Sequence, residues 1–144
     1  MEIRASGTSA APPRAVFALL ADIDSWSRWG PWRATGLEAP APGGGGGVGA
    51  IRRLESRTWG RRIVSRERVE ELVPDQRLVY ALLSGLPLEG YRGVVALQPA
   101  GGGTHIVWSS TFTPRHRATG WLYRAALQRF VDDLVPALAR AAAA

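Results

Sequence analysis

The side chains able to do chemistry in this chain are few. Their spacing along short strands would gather them on one face. Arg53, Glu67, Tyr80 and Tyr91 are the polar members. A guanidinium and a carboxyl can pair or orient a ligand, and a phenol can donate a hydrogen bond to it. Trp108, Ser110 and Phe112 occupy alternate positions of HIVWSSTF, the spacing that shares one face of a strand. A second concentration is SWSRWGPW, with Trp26, Trp29 and Trp32 inside seven residues. One or two of these indoles would anchor the core at the end of a sheet, and Trp29 or Trp32 would line a cavity mouth and stack on a ligand.

Other chemistries are thinly supplied. The two histidines, His105 and His116, lie 11 residues apart with no carboxylate motif beside them, so no metal site is expected. The absence of cysteine excludes thiol catalysis and disulfides. No G-x-S-x-G signature occurs, and Asp132-Asp133 reads as a solvated pair rather than an acid–base dyad. Five consecutive glycines, 43–47, are followed by neither GK[ST] nor a helix, so they make a mobile connection rather than a phosphate loop.

The elements that must position these groups are a run of strands and one long helix. Over 119–142, Tyr123, Leu127, Phe130, Val131, Leu134 and Leu138 recur at three- and four-residue steps, an apolar stripe on one side of a helix. A strand is expected over 2–8, a helix over 12–21 opened by two prolines, a short helical turn through Trp29, and a short strand over 33–38. Strands then follow at 49–56, 61–72, 77–83, 91–98 and 104–112, joined by turns in an antiparallel meander. A lone amphipathic helix after such a run must bury its stripe on the sheet. Alternation points Leu78, Tyr80 and Leu82 inward, with Tyr91, Val95 and Leu97, and with Ile106, Trp108, Ser110 and Phe112. A three-residue TWG loop between the first two meander strands would put Ile51, Arg53 and Glu55 on the face of Ile63, Ser65, Glu67 and Val69. Arg52, Arg62, Arg66 and Arg68 would then face solvent. On that register Arg53 and Glu67 either satisfy each other as an ion pair or form a polar spot that orients a ligand.

Composition sets the outer bounds. At 144 residues and 46% apolar, the chain is expected to be one domain spanning 1–144. The net charge of +6 comes from 18 basic residues, all arginine and scattered from Arg4 to Arg140. With abundant Gly and Ala, this resembles GC-rich coding rather than a nucleic-acid footprint, so no nucleic-acid partner is expected. The N-terminal stretch is not of secretory type and no apolar run would span a bilayer, so a cytoplasmic protein without stable membrane insertion is expected.

The order of elements is similar to that of the START-like (SRPBCC) superfamily. SGTSAAPPRAVFALLADIDSWSRWGPW resembles its opening, where a V-F-x-L-L-x-D helix leads to a Trp-bearing segment. GVGAIRRLESRTWGRRIVSRERVEELVPDQRLVYALLSGLP resembles the polyketide cyclase/dehydratase branch, with its G-x-G-x-x-R strand, E-x-V-x-x-x-x-P turn and R-L-x-Y strand. GGGTHIVWSSTF resembles its G-T-x-V-x-W strand. The resemblance implies an α+β helix-grip fold: a curved antiparallel sheet of about seven strands around a long C-terminal helix, with two short helices after the first strand. It also implies a deep apolar cavity for a small hydrophobic ligand. The motif positions fall on Arg53 or Arg52, Glu67, Tyr80 and Trp108.

Three functions follow as expectations. The first is binding of a small hydrophobic or aromatic molecule, polyketide- or lipid-like. Trp29, Trp32, Trp108, Phe112, Tyr123 and Leu127 would form its walls, with Arg53, Glu67, Tyr80, Tyr91 and Ser110 as polar contacts. The second is a cyclase/dehydratase in which Arg53, Glu67 and Tyr80 (or Tyr91) do the chemistry. The third is a co-chaperone-like interaction module with a filled cavity. No cofactor is expected, and the protein would be a monomer or homodimer.

Overall fold

Alternating apolar and polar residues make the strands, and short turns keep them antiparallel. The computed structural model describes residues 1–58 and 60–144. Its elements are β1 (Glu2–Ser9), α1 (Pro13–Ala21), α2 (Trp26–Trp29), β2 (Ala34–Ala39), β3 (Ile51–Thr58), β4 (Arg61–Val73), β5 (Arg77–Ser84), β6 (Leu88–Ala100), β7 (Gly103–Pro114) and α3 (Gly120–Ala143). The strands form one seven-stranded sheet in the order β1-β7-β6-β5-β4-β3-β2. Every neighbouring pair is antiparallel. This is the helix-grip arrangement, with β1 brought beside β7 and α3 laid across the concave face.

The expected parity holds in β4 to β7 and fails in β3. Trp59, the middle of the expected TWG loop, lies outside the described residues. Thr58 nevertheless stands opposite Arg61, which is a tighter connection than a three-residue loop. Arg52 is therefore opposite Glu67, Leu54 opposite Ser65 and Ser56 opposite Ile63. A one-residue change in a turn sends every side chain of a strand to its other face. Arg53 and Glu55 accordingly point outward, where Glu55 accepts from Arg53 at 3.3 Å and from Arg62 at 2.9 Å. Arg52, expected in solvent, is 1% exposed.

What buries Arg52 is the end of α1. The last carbonyls of a helix have no partners within it. Here Leu19 O accepts from Ser25 Oγ at 2.8 Å and from the Trp26 indole at 3.0 Å, and Ala21 O accepts from Arg52 Nη2 at 3.2 Å. The Arg52 guanidinium also lies 5.3 Å from the Trp26 ring centroid, a cation–π contact. Three side chains from beyond the helix thus finish α1 and lock it to β3.

α3 is held at its C-terminal half. Val131, Leu134, Val135, Leu138 and Ala139 are buried, and Ser9 Oγ donates to Ala139 O at 2.8 Å. Nearer the middle, the Gln128 amide donates to Arg4 O at 2.7 Å and accepts from Arg4 N at 3.1 Å, so it mimics a strand against the sheet edge. The glycine-rich connection between β2 and β3 is hydrogen-bonded within itself. It folds into successive turns in which Ala41 N donates to Gly45 O at 2.9 Å, with Gly44 and Gly45 at φ of 88° and 70°. Among the described residues no helix is long and apolar enough to cross a membrane.

Pro136 lies within α3 on its exposed side, and the helix runs through it to Ala143. Proline supplies no N–H to the carbonyl four residues back. Pro136→Ala is expected to stabilise the fold by about 1–3 kcal/mol, read as a higher urea midpoint with an unchanged slope.

Candidate functional site

Between the concave face of the sheet and the first half of α3 lies a cavity of about 370 Å³. Tyr123, Leu127, Phe130 and Leu134 project into it from the helix at the spacing of its apolar stripe. They are less buried toward the helix start, and Ala126 both lines the cavity and is exposed. The cavity therefore opens beside the first turns of α3. The opposite side of the mouth is formed by Ser56 and Ile63 of the β3–β4 hairpin and by Leu82 and Leu86 at the β5–β6 turn.

One wall is indole. Trp26 is the centre of the cluster, with ring centroids 5.4 Å from Trp29, 5.3 Å from Trp32 and 5.7 Å from Trp108. Trp26, Trp32 and Trp108 reach the cavity, and Trp32 meets Phe130 of α3 edge-on at 5.7 Å. Trp29 stands behind them and its indole donates to Ser25 Oγ at 3.4 Å.

The sheet supplies the polar floor. Tyr80, Gly93 and Ser110 form one row across β5, β6 and β7. A Cβ on Gly93 would coincide with the Tyr80 ring, so only glycine leaves room for that ring to lie across the row. The Trp108 indole donates to Tyr80 Oη at 2.9 Å, and Tyr91 Oη bonds Ser110 Oγ at 3.0 Å. The Tyr91 ring in turn stacks on Phe112 at 5.8 Å and 21°. Burial pushes the Tyr80 phenol well above its ordinary range and Tyr91 up to about 12. Both remain protonated at neutral pH and act as hydrogen-bond donors rather than bases.

Glu67 is the carboxyl of this floor. It touches the cavity but is otherwise enclosed by protein. Removal from water raises its pKa to about 7, and the charge of Arg52 opposes the shift without cancelling it. Arg52 is likewise lowered to about 10 by burial, with Glu67 as the largest influence restoring it, so it stays charged at neutral pH. Two of its nitrogens, Nε and Nη1, meet no protein acceptor. The attraction between the two side chains therefore acts through space rather than through a direct bond. A carboxyl balanced near neutrality can donate below pH 7 and accept above it.

The structure brings together Glu67, Tyr80, Tyr91, Trp32, Trp108, Tyr123 and Leu127 of the side chains that the sequence nominates. Arg53 is not among them, because the tight β3–β4 connection turns it outward. Trp29, Ser110 and Phe112 lie one layer behind the cavity surface, where they support Trp26, Tyr91 and the ring stack. Leu54 and Ser56 enter the site because the tight β3–β4 connection reverses the face expected of β3 and so brings them inward as it turns Arg53 out. Phe130 and Leu134 already belonged to the helical stripe. Nothing local in the sequence marks Trp29 as the indole of SWSRWGPW that stays behind while Trp26 and Trp32 reach the cavity.

Comparison with known proteins agrees with this geometry. A family model described as polyketide cyclase/dehydrase and lipid transport matches residues 1–143. No curated protein sequence matches the chain. Similar solved structures include the Zhui aromatase/cyclase of a Streptomyces species, at TM-score 0.84 and 17% identity, covering 99% of this chain and 93% of that one. A START superfamily protein from Mycobacterium smegmatis superposes at 0.83 and 15% identity, covering 98% and 96%. A solution structure from Thermobifida fusca is 25% identical at 0.77, covering 98% and 92%.

Two measurements test the floor. The folded pKa of Glu67 exceeds its unfolded value of 4.5, so the folded state binds this proton more tightly. Its contribution is fully present below pH 4.5 and is lost as pH rises through about 7. Glu67→Gln should match the parent at acid pH and be more stable at pH 8 by up to about 3 kcal/mol, measured by denaturant titration across pH. Gly93→Ala should destabilise the fold by roughly 1–3 kcal/mol and change the near-ultraviolet circular dichroism as Tyr80 leaves Trp108.

Proposed function

Because the chain belongs to the polyketide cyclase/dehydrase and lipid transport family of START-like proteins, we propose that it binds a small, largely apolar aromatic molecule bearing keto or hydroxyl oxygens along one edge. The observation that carries this reading is the division of one cavity into two chemistries. Trp26, Trp32, Phe130 and Leu127 offer flat and aliphatic surface, while Glu67, Tyr80 and Tyr91 present hydrogen-bonding groups from a single side. With Trp108 donating to Tyr80 Oη, the hydrogen of that phenol can turn to the neighbouring Tyr91 oxygen or to a ligand carbonyl in its place. A volume of about 370 Å³ suits a compact ligand of two or three rings better than a long acyl chain.

A second reading, cyclisation of a bound poly-keto chain, is favoured by the near-neutral carboxyl. Glu67 as carboxylate would take a proton from the carbon between two carbonyls. The enolate carbon would then bond to a second carbonyl of the same chain, and Tyr80 or the newly protonated Glu67 would return a proton to the resulting alkoxide. Arg52, rather than Arg53, would stabilise the enolate charge through space.

The test uses prodan, a neutral naphthyl ketone whose emission reports polarity. Saturable one-to-one binding with a blue-shifted emission is expected. Tyr80→Phe should weaken it by roughly 5–10-fold, the loss of about one hydrogen bond. Absence of saturable binding in the parent protein would reject the ligand-binding reading. Glu67→Gln then separates the two readings: a binding protein keeps its affinity to within a few-fold, whereas a cyclase keeps binding and loses formation of the cyclised β-hydroxy ketone from a poly-keto thioester.

A further inference from the structure

The buried pair of Arg52 and Glu67 is incomplete. Glu67 is the only charged side chain among the described residues that line the cavity. It stands opposite Arg52 on β3 and Leu82 on β5, and the β4–β5 pairing slips beside it, with Leu83 as the extra residue of β5. A bulge of this kind re-aims the side chains next to it. Among the described residues no hydrogen bond or ion pair holds the Glu67 carboxyl, and only the Arg52 charge acts on it. Behind it, Arg52 donates from Nη2 to Ala21 O at 3.2 Å, while Nε and Nη1 are buried and have no acceptor. Buried charges are stable when paired and hydrogen-bonded, and here neither side chain completes the other.

No neighbouring element supplies the missing partner. Tyr80 of β5 and Tyr91 of β6 stand near Glu67 as neutral phenols, and α3 adds only the Tyr123 phenol. The other lining residues of β3 and β7 and the indole wall carry no charge. Asp22, at the end of α1, acts on the pair only through Arg52. Arg66 and Arg68, beside Glu67 on β4, turn to the other face and pair with Glu38 and Glu70. Two charge states follow. With Glu67 ionised, the interior is neutral but the carboxylate lacks a donor. With Glu67 protonated, a fixed positive charge stands behind a floor of O–H groups from Glu67, Tyr80 and Tyr91. That state is complementary to a ligand with one negative charge. A cationic ligand would set two positive charges against one carboxylate, and a neutral one would leave the guanidinium unanswered whenever Glu67 is protonated.

We propose that the cavity takes an aromatic acid as its anion, with one proton passing from solvent to Glu67 as the ligand enters. The ligand carboxylate accepts from the Glu67 O–H and the Tyr80 phenol, its rings lie against Trp26 and Trp32, and the Arg52 charge neutralises it through space. The inference rests on the ligand-binding reading for the occupancy of the cavity, and adds the charge of the ligand and its coupling to pH. Burial already holds the Glu67 carboxyl at about 7, so protonation near neutral pH needs little free energy. A ligand that prefers the protonated form raises that pKa further. Its affinity is therefore full below about pH 7 and falls as pH rises.

The experiment is calorimetric titration of the full chain with 2-naphthoate and with its neutral amide, 2-naphthamide, in buffers of different ionisation enthalpy. Naphthoate should bind at least about tenfold tighter than the amide at about pH 6, and should weaken by roughly tenfold per pH unit above about pH 7. Uptake of close to one proton per naphthoate is expected at about pH 8, and little uptake at about pH 6. Naphthamide should show neither effect. Glu67→Gln should abolish the uptake and the pH dependence, while naphthoate remains the tighter ligand because Arg52 still stands behind it. Naphthoate binding without proton uptake, amide binding as tight at about pH 6, a pH dependence that survives Glu67→Gln, or no naphthoate binding would overturn the inference. If prodan binds in any of those cases, the ligand-binding reading stands and only the acid is rejected. If naphthoate enters with its proton but prodan does not bind, the acid is upheld and the neutral ketone rejected. If none of the three probes binds, both readings fall.

Discussion

A single buried guanidinium ties the interior together. Arg52 finishes the C-terminus of α1, lies against the Trp26 ring and places a positive charge opposite Glu67 on the adjacent strand. Burying an arginine is costly unless its charge and its N–H groups find partners. Here a helix-end carbonyl, an aromatic face and a neighbouring carboxyl share that compensation. Each of these contacts constrains something else. The end of α1 sets where Trp26 sits, Trp26 orders the other indoles, and the Arg52 charge keeps the Glu67 carboxyl from rising further.

The polarity of the cavity follows from this. Glu67 is not neutralised by a bidentate arginine, nor is it left in an uncharged pocket, and its pKa lies near neutrality between those limits. The tyrosines beside it are fixed by the Trp108 indole of the cavity wall and, behind that wall, by Ser110, Phe112 and the space left at Gly93. Orientation of a bound oxygen would then depend on a supporting layer one residue deeper than the cavity surface.

α3 divides into two halves with different duties. Its C-terminal half is buried core, whereas its N-terminal half covers the cavity with partly exposed side chains and leaves the mouth at its start. The apolar stripe is continuous along both halves, so a helix that is amphipathic throughout serves as anchor at one end and as a lip at the other.

The amino-acid pattern alone determined the strand run, the long helix and its inward stripe, because periods of 2 and 3.6 are written directly in residue order. It also determined the family resemblance and most of the floor: Tyr80, Tyr91, Glu67 and Trp108 lie on strands whose alternation is clear. Tertiary structure decided the face of β3. Arginine occupies both 52 and 53, so composition cannot distinguish the buried one from the exposed one, and the answer rests on the length of one turn. It likewise decided that Trp26 and Trp32, rather than Trp29, reach the cavity, because that depends on where α1 ends against β3. Both outcomes are long-range geometry: a turn transmits its parity along a whole strand, and a helix terminus takes its caps from residues far away in sequence.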